Sequence, residues 1–457
     1  MNELFDTVAA VSTPRGKGGV AVIRISGQNA RDILARVFTP SYRAPATAPR
    51  HACLGKIVSA AGEVIDEGLA TFFPSPASFT GEDVVELACH GGILLTEQVL
   101  SAVLAAGARP ATAGEFTRRA LLHGKMTLSA AEALGELLEA KTAGQLTLAR
   151  GGMAGHLSNA IEGAYSRLSA LLADAYAKID FPDEDLNTLS REELCAAFAK
   201  VREELVRLQR TYRPGHAVGE GIATVICGPV NAGKSTLYNA LVGKDAAIVT
   251  DIAGTTRDIL SETVALGDVT LRLFDTAGLR DTDDTVEGIG VARTREAMKS
   301  AELILAVFDG AKAPDAEVGE LIAELKTLPA AVIAVLNKSD QGECFPEALL
   351  ADFAAVVRLS ARERDTETLR AAVEKLYLAD GIALGQDPVV SNARQFAALS
   401  RAAEALSQTV ESLAADVPLD AACIDAELAM QALGEVDGRA VDESILADIF
   451  SHFCVGK

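Results

Sequence analysis

Ile222 to Ala240 reads IATVICGPVNAGKSTLYNA, and the rest of the chain has to be understood around it. Ile222 to Cys227 is a short, mostly apolar run of the kind that forms a buried strand. Gly228 to Ser235 fits G-x-x-x-x-G-K-[ST], and Thr236 to Leu241 continues as the first turns of a helix. Strand, glycine loop and helix are the setting in which that motif cradles phosphate. Gly228 and Gly233 let the backbone curl so that successive N–H groups face phosphate oxygens, and the helix N-terminus adds partial positive charge. Lys234 can neutralise the β- and γ-phosphates, and the Ser235 hydroxyl can sit on Mg²⁺. A plain glycine turn has no need of Lys-Ser at its end, so a nucleotide site is expected over Asn231, Ala232, Gly233, Lys234, Ser235 and Thr236.

Four downstream segments follow in the order a guanine-nucleotide domain requires. Gly254-Thr255-Thr256-Arg257-Asp258 supplies a threonine that can reach Mg²⁺ when a γ-phosphate is present, with Thr250, Asp251, Ile252, Ala253, Gly254, Thr255 and Thr256 as candidate nucleotide contacts. Asp275, Thr276, Ala277 and Gly278 follow a strand; Asp275 can hold Mg²⁺ through water and the Gly278 N–H can sense the γ-phosphate. Asn337, Lys338 and Asp340 follow a buried run, and the Asp340 carboxylate can accept the N1 and N2 hydrogens that guanine has and adenine lacks. Ser360, Ala361 and Arg362 can place a backbone N–H on the guanine oxygen. Each segment alone is weak, but together they select GTP over ATP. In Ras-like switches the residue after Gly278 is a glutamine that positions the attacking water; here it is Leu279, which cannot. The acidic run Asp281 to Glu287 is the nearest alternative, and no arginine finger is evident.

The chain has 457 residues, 49% of them hydrophobic, enough for about three domains of roughly 150 residues each. No apolar run reaches the roughly 18–20 residues that span a bilayer, and the N-terminus lacks a secretion pattern. Seven cysteines (Cys53, Cys89, Cys195, Cys227, Cys344, Cys423 and Cys454) are scattered without a C-x-x-C pair, which argues for a reducing cytosol and against a disulfide framework or zinc site. The net charge of −21 is the wrong sign for holding nucleic acid by broad electrostatics, so any RNA substrate needs local basic patches or a partner.

Around the nucleotide unit, placed at 217–380, the chain changes character. Residues 1–122 alternate strand-like and helix-like segments: strands at Gly19 to Ile25, Val64 to Phe73 and Val84 to Cys89, and helices at Gln28 to Phe38 and Ile93 to Ala105. Arg24 and Glu86 sit uncomfortably inside strand-like runs, which suggests a ligand pocket. Residues 123–216 are helical, with Gly151-Gly152 as the main turn signal in Leu128 to Ile179, a capping box at Ser190 to Glu193 and a boundary at Pro214-Gly215. Residues 381–457 return to helix over Asn392 to Leu413, Ala422 to Leu433 and Asp442 to Phe453. The expected architecture is multidomain α/β plus all-α, with a mainly parallel nucleotide domain inserted in a discontinuous helical domain and preceded by an α/β domain.

The strings GKGGVAVIRISG, SFTGEDVVELACHGG, GEFTRRALLHGKMTLSAAEA, IDFPDED, NAGKSTLYNAL, IVTDIAGTTRD, DTAGLRDTDDTVEGIG, NKSD and the terminal FCVGK resemble the MnmE (TrmE) family of tRNA-modification GTPases over essentially the whole chain. That resemblance implies an N-terminal folate-binding and dimerisation domain, with Arg24, Glu86, Lys125 and Lys457 binding a 5,10-methylene- or 5-formyl-tetrahydrofolate donor. It implies K⁺ at Asn231, Thr250, Ile252 and Thr255 in place of an arginine finger, and Mg²⁺ at Ser235 and Thr256. It makes Glu287 the residue that orients the hydrolytic water, with Lys234 and Cys454 as further catalytic candidates. It also implies a cytoplasmic homodimer that, with an FAD-containing MnmG partner, adds an aminomethyl-type group at C5 of the wobble uridine of certain tRNAs. Two departures stand out: Pro229 removes an N–H from the phosphate loop, and Val455 replaces the usual Ile or Leu. A regulatory switch of the Era or EngA type is the alternative, though it leaves the folate-matching positions without a purpose; a folate-dependent transferase is a third reading.

Overall fold

The computed structural model describes residues 6–181, 188–245, 262–274, 295–378, 381–441 and 443–456. Two compact units divide the chain: Met1–Gly135 with Asp437–Lys457, and Glu136–Val436. Among the described residues no helix is long and apolar enough to cross a membrane.

The first unit is built on a seven-stranded sheet. Its strands are β1 (Val8–Val11), β2 (Val20–Ser26), β3 (Phe38–Pro40), β4 (Cys53–Val58), β5 (Val64–Phe73), β6 (Val84–His90) and β7 (Arg109–Pro110), in the order β3-β4-β5-β6-β2-β1-β7. Every neighbouring pair is antiparallel except β1 with β7. Period-two patterning explains the layer: in VAVIRIS, Ala21, Ile23 and Ile25 are buried while Val22 and Arg24 alternate to the other face. Ile23, Ile25, Val85 and Leu87 share a core with the helices Ala30–Val37 and Ile93–Ala105. The opposite face meets the helix Glu115–Leu122 through Val8, Ala10, Ala111 and Phe116. The last residues join this unit: Val455 bridges to Ala113, and Phe450, in the helix Glu443–Ser451, packs on Gly114.

In the second unit, the helices His156–Asp180, Arg191–Arg210, Ala393–Ala414 and Leu419–Asp437 share one core containing Leu168, Phe198, Leu205, Leu399, Leu406 and Leu433. Residues almost two hundred positions apart thus form one helical body, with an α/β domain inserted between its segments. The inserted sheet contains β8 (Ile222–Cys227), β9 (Glu262–Leu266), β10 (Val269–Phe274), β11 (Leu303–Asp309), β12 (Ala331–Asn337) and β13 (Ala355–Arg358), ordered β13-β12-β11-β8-β10-β9. All pairs are parallel except β9 with β10. All six residues of β8 are buried, the continuous apolar signature of a strand covered on both faces.

The capping box at Ser190 is present: its hydroxyl accepts the Glu193 N–H at 3.2 Å, and the Glu193 carboxylate accepts the Ser190 N–H at 2.7 Å. One turn signal is not a turn. Gly151-Gly152 lies inside the helix Ala143–Met153; a Cβ on Gly151 would come within 2.9 Å of the Gly385 Cα, so the small residue serves close packing. The breaks fall instead at a Thr142–Gln145 capping box and at Gly155, whose φ is 80°. Pro214-Gly215 sits in the helical turn Tyr212–His216, which passes through the π turn Ala217–Gly221 into β8. Pro214 is tolerated there as a first-turn residue. Strands β1 and β4 and the helix Glu115–Leu122 were not anticipated from local pattern.

That connector into β8 is pinned electrostatically. His216 Nε2 is 2.9 Å from Glu302 Oε1 and Nδ1 is 3.2 Å from Glu220 Oε2. The other Glu302 oxygen accepts the Ala223 N–H at 2.9 Å. Hydrogen bonding to Glu220, followed by the charge of Glu302, raises the His216 pKa above the ordinary histidine value despite burial.

Candidate functional site

The phosphate loop is closed by side chains that take its carbonyls. Lys234 Nζ donates to the Gly228 and Pro229 carbonyls at 3.0 and 2.9 Å. Asn337 Nδ2 donates to the Ala232 carbonyl at 2.9 Å, and Lys338 Nζ donates to the Asn231 carbonyl at 2.8 Å. Occupying these carbonyls draws them away from the loop's concave side, as an anion cradle built of N–H groups requires. Gly228 has φ 141°, and a Cβ there would lie 2.1 Å from the Val307 carbonyl; at Gly233, with φ 99°, a Cβ would meet Asn337 Nδ2 at 2.0 Å.

Pro229 begins the turn of this loop. Its carbonyl accepts the Ala232 N–H at 3.4 Å, closing a four-residue turn whose third residue, Asn231, has φ 61°. Left-handed backbone at that place is the requirement of a type II turn, and asparagine tolerates it better than most residues. The helix Lys234–Asp245 then begins on Gly233, whose carbonyl accepts the Leu237 N–H at 2.9 Å. Ser235 is half-buried and Thr236 exposed at its first turn.

The guanine-side segments come together through one side chain. Asn337, the last residue of β12 and 3% exposed, donates to the phosphate loop and accepts the Ala361 N–H on Oδ1 at 3.0 Å. Asp340 is exposed in the turn Ser339–Gln341, and the Ser339 N–H reaches the Leu359 carbonyl at 3.3 Å. The Ser360 hydroxyl is buried and has no hydrogen-bond partner among the described residues, and Arg362 is exposed. Thr250, Asp251, Ile252, Ala253, Gly254, Thr255, Thr256, Asp275, Thr276, Ala277, Gly278 and Glu287 lie outside the described residues, as does Lys457.

In the first unit, Arg24 and Glu86 are direct partners in the β2–β6 register. Arg24 Nε and Nη2 donate to Glu86 Oε1 at 3.1 and 2.8 Å, with the side chains 20% and 32% exposed. The guanidinium lies 5.6 Å from the Phe79 ring and 5.7 Å from the Phe116 ring. Its Nη1 donates to the Gly456 carbonyl at 3.4 Å, which also accepts the Ser12 hydroxyl at 3.0 Å. The C-terminal segment therefore reaches the same spot. Lys125 is exposed and donates to the Pro76 carbonyl at 3.0 Å, on the loop that carries Phe79. Cys454 is exposed.

Behind this site lies a charge network that local sequence reading missed. Arg119, 1% exposed, bonds Glu82, Glu115 and Asp6 at 2.9–3.0 Å, and Arg109 bonds Asp6 and Glu115 at 2.6 and 2.7 Å. Hydrogen bonding from Arg109 holds the Asp6 carboxyl below its ordinary range. For Glu115 burial pushes upward, but Arg109, the Thr112 N–H and Arg119 outweigh it and the net shift is downward. Glu82 also accepts the Ser26 hydroxyl at 2.7 Å, fixing the loop beside Arg24 to β2. The i, i+4 spacing of Glu115 and Arg119 was the one signal available in the sequence.

Residues 7–125 match the family described as GTP-binding protein TrmE N-terminus, and residues 128–454 match the MnmE helical domain. Proteins named tRNA modification GTPase MnmE are similar over nearly the full chain. The one from Heliobacterium modesticaldum is 42% identical over 469 residues, covering 99% of each chain. That from Symbiobacterium thermophilum is 42% identical over 458 residues, again covering 99% of each. That from Lysinibacillus sphaericus is 39% identical over 461 residues, covering 99% of this chain and all of the other. An inserted nucleotide domain, a helical body made from two segments and a C-terminus returned to Arg24 agree with that full-length similarity: the chain belongs to the MnmE family.

Proposed function

We propose that this chain is a tRNA modification GTPase whose hydrolysis of GTP serves a folate-dependent addition at C5 of the wobble uridine, carried out with an FAD-containing MnmG partner. The observation that carries the nucleotide half is Asn337, which ties the phosphate loop to the Ser360–Ala361 backbone and sets the Asp340 turn beside both. Lys234 and the loop N–H groups bind the phosphates, Asp340 reads the guanine edge, and the buried, unpartnered Ser360 hydroxyl suits a polar ligand. Ser235 and Thr256 would hold Mg²⁺. Asn231, exposed on the loop, would hold K⁺ together with Thr250, Ile252 and Thr255. Glu287 would orient the water that Leu279 cannot.

The folate half rests on Arg24 and Glu86. Both Arg24 bonds to Glu86 go to Oε1, which leaves Oε2 as an acceptor, and the Arg24 guanidinium lies by two aromatic rings. A carboxylate oxygen left open suits the donor edge of a flat pterin, and Lys125 and Lys457 would supply charge for the rest. When bound, the folate supplies the one-carbon unit, while this chain's residues hold and orient it. Cys454 is kept as a candidate for the modification step. The chain would act as a homodimer in the cytoplasm.

The test is nucleoside analysis of tRNA from a strain lacking this gene. Modified wobble uridine should disappear, return with the wild-type chain, and fail to return with Asp340→Asn or Arg24→Ala. Unchanged wobble uridine in the deletion strain would overturn the reading.

A further inference from the structure

Lys338 is gripped at two points. Its ammonium donates to the Asn231 carbonyl at 2.8 Å and to Oδ2 of Asp309 at 2.7 Å. Asp309 ends β11, directly across the parallel ladder from Asn337. Its side chain is 13% exposed and that of Lys338 26%, so this pair is partly withdrawn from water. The other Asp309 oxygen accepts the Ala311 N–H at 3.1 Å, which fixes the carboxylate's orientation independently of the lysine. Lys312 is the other cation close by, at 3.8 Å and 74% exposed.

The two residues joined by this contact are conformationally unusual. Lys338 has φ 63° and Asn231 φ 61°, both in the left-handed region that non-glycine residues enter only when the surroundings hold them there. The neighbouring clamp, Asn337 on the Ala232 carbonyl, is rigid because the short amide is bound at both ends. Lysine is different: a four-carbon stem carries a strongly hydrated charge that swings to water unless a counter-charge retains it. The carboxylate that retains it is Asp309.

We infer that Asp309 is a positioning residue for the phosphate loop: acting through Lys338, it holds the Asn231 carbonyl outward and so keeps the loop's N–H groups turned towards the bound nucleotide. The inference rests on the reading of this loop as a GTP site. It assigns work to a residue outside the five sequence segments that mark that site. A carboxylate one strand away links the guanine-side turn to the phosphate side, so both ends of the nucleotide meet a loop already in shape.

The test uses the full chain with a fluorescent GDP analogue, comparing wild type, Asp309→Asn, Asp309→Glu, Lys338→Ala and the double variant Asp309→Asn/Lys338→Ala. Asparagine keeps an acceptor for the Ala311 N–H and turns an amide donor towards Lys338, so both the charge and the bond that retain the ammonium are lost. Nucleotide release from Asp309→Asn should be about tenfold faster, the scale of one charge-assisted hydrogen bond, with the melting temperature of the nucleotide-free protein unchanged. Asp309→Glu should recover slow release, and the double variant should release no faster than Lys338→Ala alone. Wild-type release rates in Asp309→Asn, additive effects in the double variant, or a loss confined to the nucleotide-free melting temperature would each overturn the inference. A wild-type chain that binds no guanine nucleotide would overturn the underlying reading and this inference with it.

Discussion

Asn337→Ala cuts the contact on which the proposed nucleotide site is assembled. The side chain is 3% exposed, and its two partners belong to residues that are 1% (Ala232) and 2% (Ala361) exposed. Two hydrogen bonds of about 1 kcal/mol each are lost, and stranding the Ala361 N–H and the Ala232 carbonyl adds about 1–2 kcal/mol, giving about 3–4 kcal/mol in total. Water can enter the space left by the amide only by disturbing β12, so relaxation should recover little. Hydrogen exchange of the Ala331–Asn337 amides in nucleotide-free protein reads the opening free energy of this sheet separately from the helical body. Exchange should quicken by about 150-fold or more, since 1.4 kcal/mol corresponds to a factor of ten. Asn337→Asp is the internal control: it keeps the acceptor for Ala361 but turns a carboxylate oxygen towards the Ala232 carbonyl, and should be at least as damaging as alanine. A change below about fivefold in both variants, equivalent to about 1 kcal/mol, would refute the assignment of Asn337 as the structural tie.

Two further outcomes follow from the charged clusters. Arg119→Met should lower the stability of the first unit by about 3–5 kcal/mol in urea unfolding, because buried Glu115 and half-buried Glu82 lose their shared cation; Arg119→Lys should recover little, since an ammonium cannot span three carboxylates, and a loss under 1 kcal/mol would refute the account. His216 provides a pH signature. Its folded pKa is raised, so its stabilising contribution is fully present below the ordinary histidine value and is lost as pH climbs through the raised one. Melting temperature measured from pH 6 to pH 9 should therefore decline more steeply in wild type than in His216→Gln, and parallel profiles would show that the pairing of His216 with Glu220 and Glu302 does not matter to stability.

What the sequence determined by itself is what short-range physics can write. The glycine loop, its strand and its helix are one contiguous segment, and the Ser190 capping box is four residues long; in each case spacing alone sets the geometry. The parallel strands β8, β11 and β12 announce themselves as continuous apolar runs because both faces are covered. Arg24 and Glu86 were conspicuous as charges inside apolar alternation, and the β2–β6 register then made them direct partners. Gly151 shows where local reading fails: it has the composition of a turn, yet sits within a helix because Gly385 packs against it. Only the tertiary structure could decide such matters. Arg119 gathers Asp6 and Glu82 from separate segments, Asp309 reaches Asn231 through Lys338, and the Gly456 carbonyl meets Arg24 from 432 residues away. None of these contacts has a local periodicity. They exist because closing a sheet or returning a terminus brings charges into a space with little water, where each must find a partner from whichever segment the fold delivers.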